Sequence, residues 1–152
     1  MFVHYDTEVP IAMADVEHRL NLLRSDLTSW AAVAYREGEE LRARVGPKEG
    51  SVAKEVRLEI GTAEIHRSGL IYPLKWSATG AELLFPRLNA ELSLSHVGQH
   101  QTKLTLAGTY QPPLGPLGKV VDRVLLRRVA ESTVKAWVDH LADALIANHT
   151  IS

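Results

Sequence analysis

Apolar and polar positions follow two periods along this chain. From Phe2 to Val9 they alternate: Val3, Tyr5, Thr7 and Val9 fall on one face, and His4, Asp6 and Glu8 on the other. A period of two predicts a strand, and Pro10 ends it. The period then lengthens. Ile11, Val16, Leu20 and Leu23 recur at helical spacings over 11–23, with Asp15, Glu17, His18 and Arg19 filling the other face. A second short helix is predicted over 27–37, where Trp30, Ala31, Ala34 and Tyr35 are neighbours on a helix surface. Gly38 is placed to cap its end.

Alternation then returns and persists. Leu41, Ala43 and Val45 alternate with Arg42 and Arg44, and Gly46-Pro47-Lys48-Glu49-Gly50 supplies a turn. Val56, Leu58 and Ile60 alternate with Glu55, Arg57 and Glu59. Residues 70–78 form the next predicted strand, with Tyr72, Leu74 and Trp76 sharing a face; Pro73 within it marks an edge, a bulge or a bend. Leu88, Ala90, Leu92 and Leu94 alternate with Asn89, Glu91, Ser93 and Ser95. After a turn at Gly98, Leu104, Leu106, Gly108 and Tyr110 face one way, and Lys103, Thr105 and Thr109 the other. Strands with one apolar and one polar face belong to an antiparallel sheet wetted on one side, since buried parallel strands read as continuous apolar runs. The short connections suit hairpins.

Past the breaker cluster at 111–118, one long helix is predicted over 117–147. Val121, Val124, Leu125, Ala130, Val134, Trp137, Leu141 and Leu145 make its apolar stripe, while Asp122, Arg123, Arg127, Glu131, Lys135 and Asp139 lie mostly off it. At 1.5 Å per residue this helix is roughly 45 Å long. Only the concave face of the sheet is large and apolar enough to cover the stripe. The expected architecture is therefore α+β: a curved antiparallel sheet of six or seven strands, two short helices, and a long C-terminal helix packed across the concave face. Residues 1–152 read as one domain, without repeats, low-complexity tracts or a linker.

Composition narrows the function more than it defines it. With 45% hydrophobic and 23% charged residues in 152, the chain supports a core without staples. Its 17 basic and 18 acidic residues are dispersed, and the nearest approach to a basic stripe is Arg123, Arg127 and Arg128. A nucleic-acid partner is not expected, because phosphate neutralisation needs a concentrated basic surface. The absence of cysteine excludes disulfides, thiol nucleophiles and Cys-ligated zinc. The N-terminal residues lack a basic region followed by an apolar run, and no stretch reaches the ~20 apolar residues that span a bilayer. The expectation is a cytoplasmic protein without integral membrane contact; the oligomeric state is left open.

Two segments carry a resemblance. Pro73-Leu74-Lys75-Trp76-Ser77-Ala78-Thr79-Gly80, followed by Leu84-Phe85-Pro86, is one. The run from Leu104 to Gly118, with Gly108-Thr109-Tyr110-Gln111-Pro112-Pro113-Leu114-Gly115 at its centre, is the other. Together with the order of elements they resemble uncharacterised bacterial members of the START-like or SRPBCC superfamily. That superfamily takes in birch-pollen-allergen-like proteins, lipid-transfer START domains and polyketide aromatase/cyclases. The resemblance implies the helix-grip fold over nearly the whole chain. It also implies a cavity between sheet and final helix. The turn itself has a physical reading: Pro112 and Pro113 cannot donate ladder hydrogen bonds, Gly115 and Gly118 permit a reversal, and Pro116 suits the first helical turn. It lacks the Lys-Ser/Thr pair of a phosphate-binding loop.

The candidate ligand-binding residues are those of inward parity together with the interior aromatics: Trp30, Tyr72, Trp76, Phe85, Leu92, Leu106, Tyr110 and Trp137. Tyr5, Leu74 and Leu104 share the inward face, and Leu83, Leu84 and Phe85 form part of a mouth. Such residues equally make a filled core. Two details favour a cavity: Tyr5, Tyr72 and Tyr110 bring hydroxyls that need partners into an apolar space, and Gly108 and Ala43 leave inward volume. The seven histidines (His4, His18, His66, His96, His100, His140 and His149) show no metal-ligand spacing, so neither metal nor cofactor is expected. Ser77 and Thr79 belong to no nucleophile turn. The strand carboxylates Asp6, Glu8, Glu55, Glu59 and Glu91 face outward, as do the helical Glu131 and Asp139, so no catalytic residue is assigned. Three readings follow: binding or transport of a small apolar or amphipathic ligand such as a lipid, polyketide or isoprenoid; a cyclase, dehydratase or hydrolase using the same cavity; and a protein-interaction domain with a closed core.

Overall fold

The structure, a computed structural model, describes residues 2–27, 29–31, 55–79, 87–111 and 123–151. Strand β1 (Phe2–Val9) leads into helix α1 (Met13–Leu22) and then into helical residues 24–27 and 29–31, here α2. Five strands follow: β2 (Glu55–Ile60), β3 (Glu64–His66), β4 (Gly69–Thr79), β5 (Arg87–Gly98) and β6 (Gln101–Gln111). Helix α3 (Arg123–Ile151) ends the chain. The strands form one curved, unclosed antiparallel sheet in the order β1-β6-β5-β4-β2, with β3 added to the far side of β4. This is the helix-grip α+β arrangement. The strand expected at 41–45, its turn, Gly38 and the segment around Phe85 lie outside the described residues.

Alternation placed the faces correctly. On β1, Val3 and Val9 are buried and Tyr5 and Thr7 half-buried, while His4, Asp6 and Glu8 are exposed. On β5, Leu88, Ala90, Leu92 and Leu94 are buried. Helix α3 buries Ala130, Thr133, Val134, Trp137, Val138, Leu141, Ala142 and Leu145. These recur at three- and four-residue spacings, and one wide apolar stripe of this kind faces the core. The helix packs mainly against β1 and β6 and also meets α1. Arg19 Nη1 of α1 donates to the Leu145 carbonyl of α3 over 3.0 Å, and Thr102 Oγ1 donates to the Ile11 carbonyl over 2.7 Å. The second bond satisfies a buried hydroxyl and fixes the β1-to-α1 turn to the start of β6.

Pro73 proves to be interior to the sheet, paired opposite Glu91 of β5. It is tolerated because its other neighbour is interrupted there. Strand β2 ends with Ile60 opposite Leu74, and β3 begins with Glu64 opposite Ile71. The Pro73 carbonyl accepts from Gly61 N at 2.8 Å on that side. A strand residue directs its N–H and C=O to the same neighbour. The missing donor of Pro73 therefore faces the gap between β2 and β3, where no ladder bond is lost. A Cβ on Gly61 would come within 2.7 Å of the proline ring, so the gap also requires a residue without one.

Strand β3 was not apparent from the alternation. Its three residues are all exposed, and Ile65 is 88% exposed, so no buried face marks it. It forms because Gly69 reverses the chain at φ 148°, a backbone region that glycine enters without steric cost.

Candidate functional site

Register brings the inward residues into rows across the sheet. Tyr5, Leu106, Leu92 and Tyr72 stand side by side on β1, β6, β5 and β4. Two residues along, Val3, Gly108, Ala90, Leu74 and Ile60 make a second row. Tyr110, Leu88, Trp76 and Leu58 make a third. Five of the eight candidate residues thus share one continuous inward face, in two rows separated by the small side chains of Ala90 and Gly108.

Helix α3 supplies the sixth. Trp137 has no exposed surface, and its ring lies 6.5 Å from that of Trp76 at 52°. The tilted geometry suits the opposing charge of ring edge and ring face. Its indole Nε1 donates to the Leu27 carbonyl of α2 over 3.2 Å, so the polar end of a buried side chain is satisfied. One side chain of α3 thereby touches both the sheet and α2. Trp30, the seventh candidate, is half-buried and packs against the core from α2. Phe85, with Leu83 and Leu84, lies outside the described residues.

The middle row corrects one expectation. Gly108 leaves no volume for a ligand. A Cβ there would meet the Asn89 carbonyl oxygen at 2.2 Å and Ala90 Cα at 2.5 Å. The missing side chain is replaced by the backbone of β5, whose close approach the glycine permits.

The inward face is also tightly covered. Leu92, Leu106 and Trp137 have no exposed surface at all, and Tyr72 retains 1%. Small residual exposures remain at both ends of the face, with 5% at Trp76, 6% at Tyr110 and 9% at neighbouring Ala90 at one end and 8% at Leu70 at the other. Tyr5, Leu58 and Ile60 are half-buried toward the sheet edges. The centre of the interior is closed, and its margin beside Trp76 is slightly open.

The tyrosine hydroxyls differ in circumstance. Tyr72 carries a buried hydroxyl that has no hydrogen-bond partner among the described residues. Burial pushes its phenol above the ordinary tyrosine range; the Glu17 carboxylate adds to the rise and the Arg24 guanidinium opposes it. It stays protonated, and so remains a donor, at neutral pH. Tyr5 instead turns its hydroxyl to the edge of α3 and donates to Asp139 Oδ1 at 2.6 Å. Lys135 Nζ donates to Asp139 Oδ2, also at 2.6 Å, and lies 5.5 Å from the centre of the Tyr5 ring. Asp139 is accordingly not a simple outward residue, as its place off the apolar stripe suggested; it is half-buried at the seam between α3 and β1. Desolvation acts to raise its pKa, but the hydrogen bonds from Lys135 and Tyr5, together with the charges of Lys135 and His140, outweigh it and hold the carboxyl below its usual range. Each one's own hydrogen bond to Asp139 raises Tyr5 and Lys135. The four-residue spacing of Lys135 and Asp139 was a legible sign of their pairing, but nothing in the sequence pointed to Tyr5 as the third member.

Beside this trio, Ser132, Lys135, Ala136, Asp139, His140 and Asp143 line an open cleft of about 320 Å³ along α3. Its chemistry is polar, unlike that of the inward face. Among the described residues no group of three or more His, Asp or Glu is arranged to hold a metal, and no helix is long and apolar enough to cross a membrane.

By its geometry the chain is a helix-grip α+β protein with an apolar inward face closed by its terminal helix. Solved structures share this arrangement. A Thermus thermophilus protein, TTHA0849, superposes with a TM-score of 0.53 at 16% identity, covering 97% of this chain and 99% of that one. A hypothetical protein from Helicobacter pylori, jhp0584, gives 0.49 at 10% identity over 97% and 87% of the two chains. The ZhuI aromatase/cyclase from Streptomyces sp. R1128 gives 0.40 at 13% identity over 97% and 92%. The first comparison shows a common fold; the two below 0.5 add no argument to it. No family model matches the sequence. No curated protein matches it significantly.

Proposed function

We propose that this protein binds a small, mainly apolar molecule between the inward face of its sheet and helix α3. The observation that carries the reading is the hydroxyl of Tyr72, placed without a partner among the described residues in an otherwise apolar interior. An unpaired buried polar group costs roughly 1–3 kcal/mol, whereas phenylalanine would fill the same space at no such cost. An acceptor on a bound ligand would satisfy that hydroxyl. The resemblance to the START-like superfamily implies the same location for a ligand. Trp76, Tyr110, Leu92, Leu106 and Trp137 would form its walls. Entry would be at the Trp76–Tyr110 margin, one of the places where the inward face keeps some exposure. Lipids, polyketides and isoprenoids are the ligand classes that the resemblance implies.

The test is a thermal and native-mass-spectrometric screen with apolar and amphipathic ligands. At a ligand concentration ten times the dissociation constant, linkage adds about 1.4 kcal/mol of stability, readily seen as a rise in Tm. A bound mass with no accompanying stabilisation, or no bound mass across these classes, would remove the reading.

Complete burial of Leu92, Leu106 and Trp137 favours a second reading, a closed-core domain that acts through its surface. The same screen separates the two, since a closed core gives neither mass nor Tm shift.

A further inference from the structure

We infer that Tyr72 selects the ligand's chemistry: the interior takes a neutral apolar molecule bearing one hydrogen-bond acceptor, such as a ketone or an ester carbonyl, in preference to a pure hydrocarbon or a carboxylate. This rests on the interior-binding reading proposed above.

Three features of the site lead to it. Tyr72 is 1% exposed and its hydroxyl has no partner among the described residues, so it is an unspent donor inside the protein. Its row neighbours Leu92 and Leu106 offer no competing polar group, Tyr5 at the end of the row spends its hydroxyl on Asp139, and Trp137, entering from α3, spends its N–H on Leu27. A ligand oxygen near Tyr72 therefore meets one donor in an apolar setting. An uncharged carbonyl accepts that bond without bringing a charge into the interior. A carboxylate would also accept it, but at the cost of burying a charge with one donor to stabilise it. The nearby charges oppose one another and relieve this only in part. Glu17 opposes an anion, and Arg24 is exposed to solvent, with Nη2 directed 3.4 Å from the Gly61 carbonyl. The phenol is protonated, and so a donor, at neutral pH, and burial pushes it further from ionisation.

The experiment uses the full chain and three probes of nearly one shape: acetylnaphthalene, ethylnaphthalene and naphthoate. Binding is followed by quenching of tryptophan fluorescence and by native mass spectrometry, in the wild type and in Tyr72→Phe. One net hydrogen bond is a factor of roughly two to ten in affinity. The wild type is expected to prefer acetylnaphthalene to ethylnaphthalene by that factor and to bind naphthoate least. Tyr72→Phe should erase the preference for the ketone and leave the ethylnaphthalene affinity unchanged. Its chemical denaturation midpoint should equal or exceed that of the wild type, because an unpaired group has been removed. Equal binding of ketone and hydrocarbon by the wild type, or a preference that survives in Tyr72→Phe, overturns the inference while leaving the interior-binding reading intact. A lowered denaturation midpoint in Tyr72→Phe also overturns it, by showing that the hydroxyl is already satisfied in the free protein. Failure of all three probes to bind overturns both.

Discussion

The hydroxyl of Tyr5 donates to the carboxylate of Asp139 across 2.6 Å and 134 positions of sequence, joining the first strand to the last helix. Lys135 holds the other oxygen of the same carboxylate. Removal of the phenol oxygen in Tyr5→Phe is expected to cost about 1 kcal/mol. A hydrogen bond to a charged group contributes more when buried, but this one is partly wet. A double-mutant cycle with Asp139→Ala, which removes the acceptor, read by urea denaturation, should show a coupling of the same size. Additive effects would mean that the two side chains are merely adjacent.

The trio also predicts a dependence on pH. Asp139 has a folded-state pKa below its unfolded value, so its contribution is fully present above the ordinary carboxylate range and disappears as pH falls through the folded value. Tyr5 and Lys135 have raised values, so theirs is fully present below about pH 10 and disappears as pH rises through the folded values. The stability difference between wild type and Asp139→Asn should therefore be greatest across the neutral range and shrink toward both extremes. Urea titrations at a series of pH values provide the measurement. A difference that stays constant down to about pH 3 would show that the carboxylate is not depressed.

How much of this was legible depended on whether a feature lay along the chain or between its parts. The faces of β1, β4, β5 and β6 follow from period-two alternation, since burial of one face imposes it on the residues themselves. The stripe on α3 follows in the same way, and so does the inward placement of Tyr72, Trp76, Leu92, Leu106, Tyr110 and Trp137. Strand β3 left no such mark, because Glu64, Ile65 and His66 are all exposed. Pro73 was correctly read as a disturbance, but only the pairing shows that the disturbance is in its neighbour. Gly108 illustrates the limit most clearly: a missing side chain in a sequence is compatible with empty space or with an approaching backbone, and the register decides for the backbone. The Tyr5–Asp139 bond and the empty donor of Tyr72 are likewise relations between elements. No spacing along the chain expresses them.

Gly108 supplies a contrasting pair of substitutions. Gly108→Ala places a methyl group 2.2 Å from the Asn89 carbonyl oxygen and 2.5 Å from Ala90 Cα, both on the adjoining backbone, which cannot swing aside as a side chain would. Separation of β5 from β6 is the only relief, and overpacking of this kind costs about 1–3 kcal/mol. Gly98→Ala in the β5–β6 turn meets nothing nearer than Gln101 Cβ at 3.8 Å and should change stability by less than about 0.5 kcal/mol. Equal denaturation midpoints for the two variants would contradict the close approach.

Trp137 is where α3 holds the interior shut, so its replacement should separate stability from binding. Trp137→Phe loses the bond to the Leu27 carbonyl and part of the ring that faces Trp76, at an expected cost of about 2–3 kcal/mol. The protein should remain folded, with a space of indole-minus-phenyl size opened against Trp76. An apolar probe that enters beside Trp76 should then bind at least as tightly as to the wild type, even though the free protein is less stable. The opposite variant, Ile65→Ser, removes an apolar side chain that is already exposed and should alter neither quantity. Parallel denaturation and fluorescence titrations of the two variants are the check. Trp137→Phe weakened in binding as severely as in stability would show that the space vacated by the indole is not continuous with the ligand's site; no bound mass in either variant would argue against a ligand beneath α3.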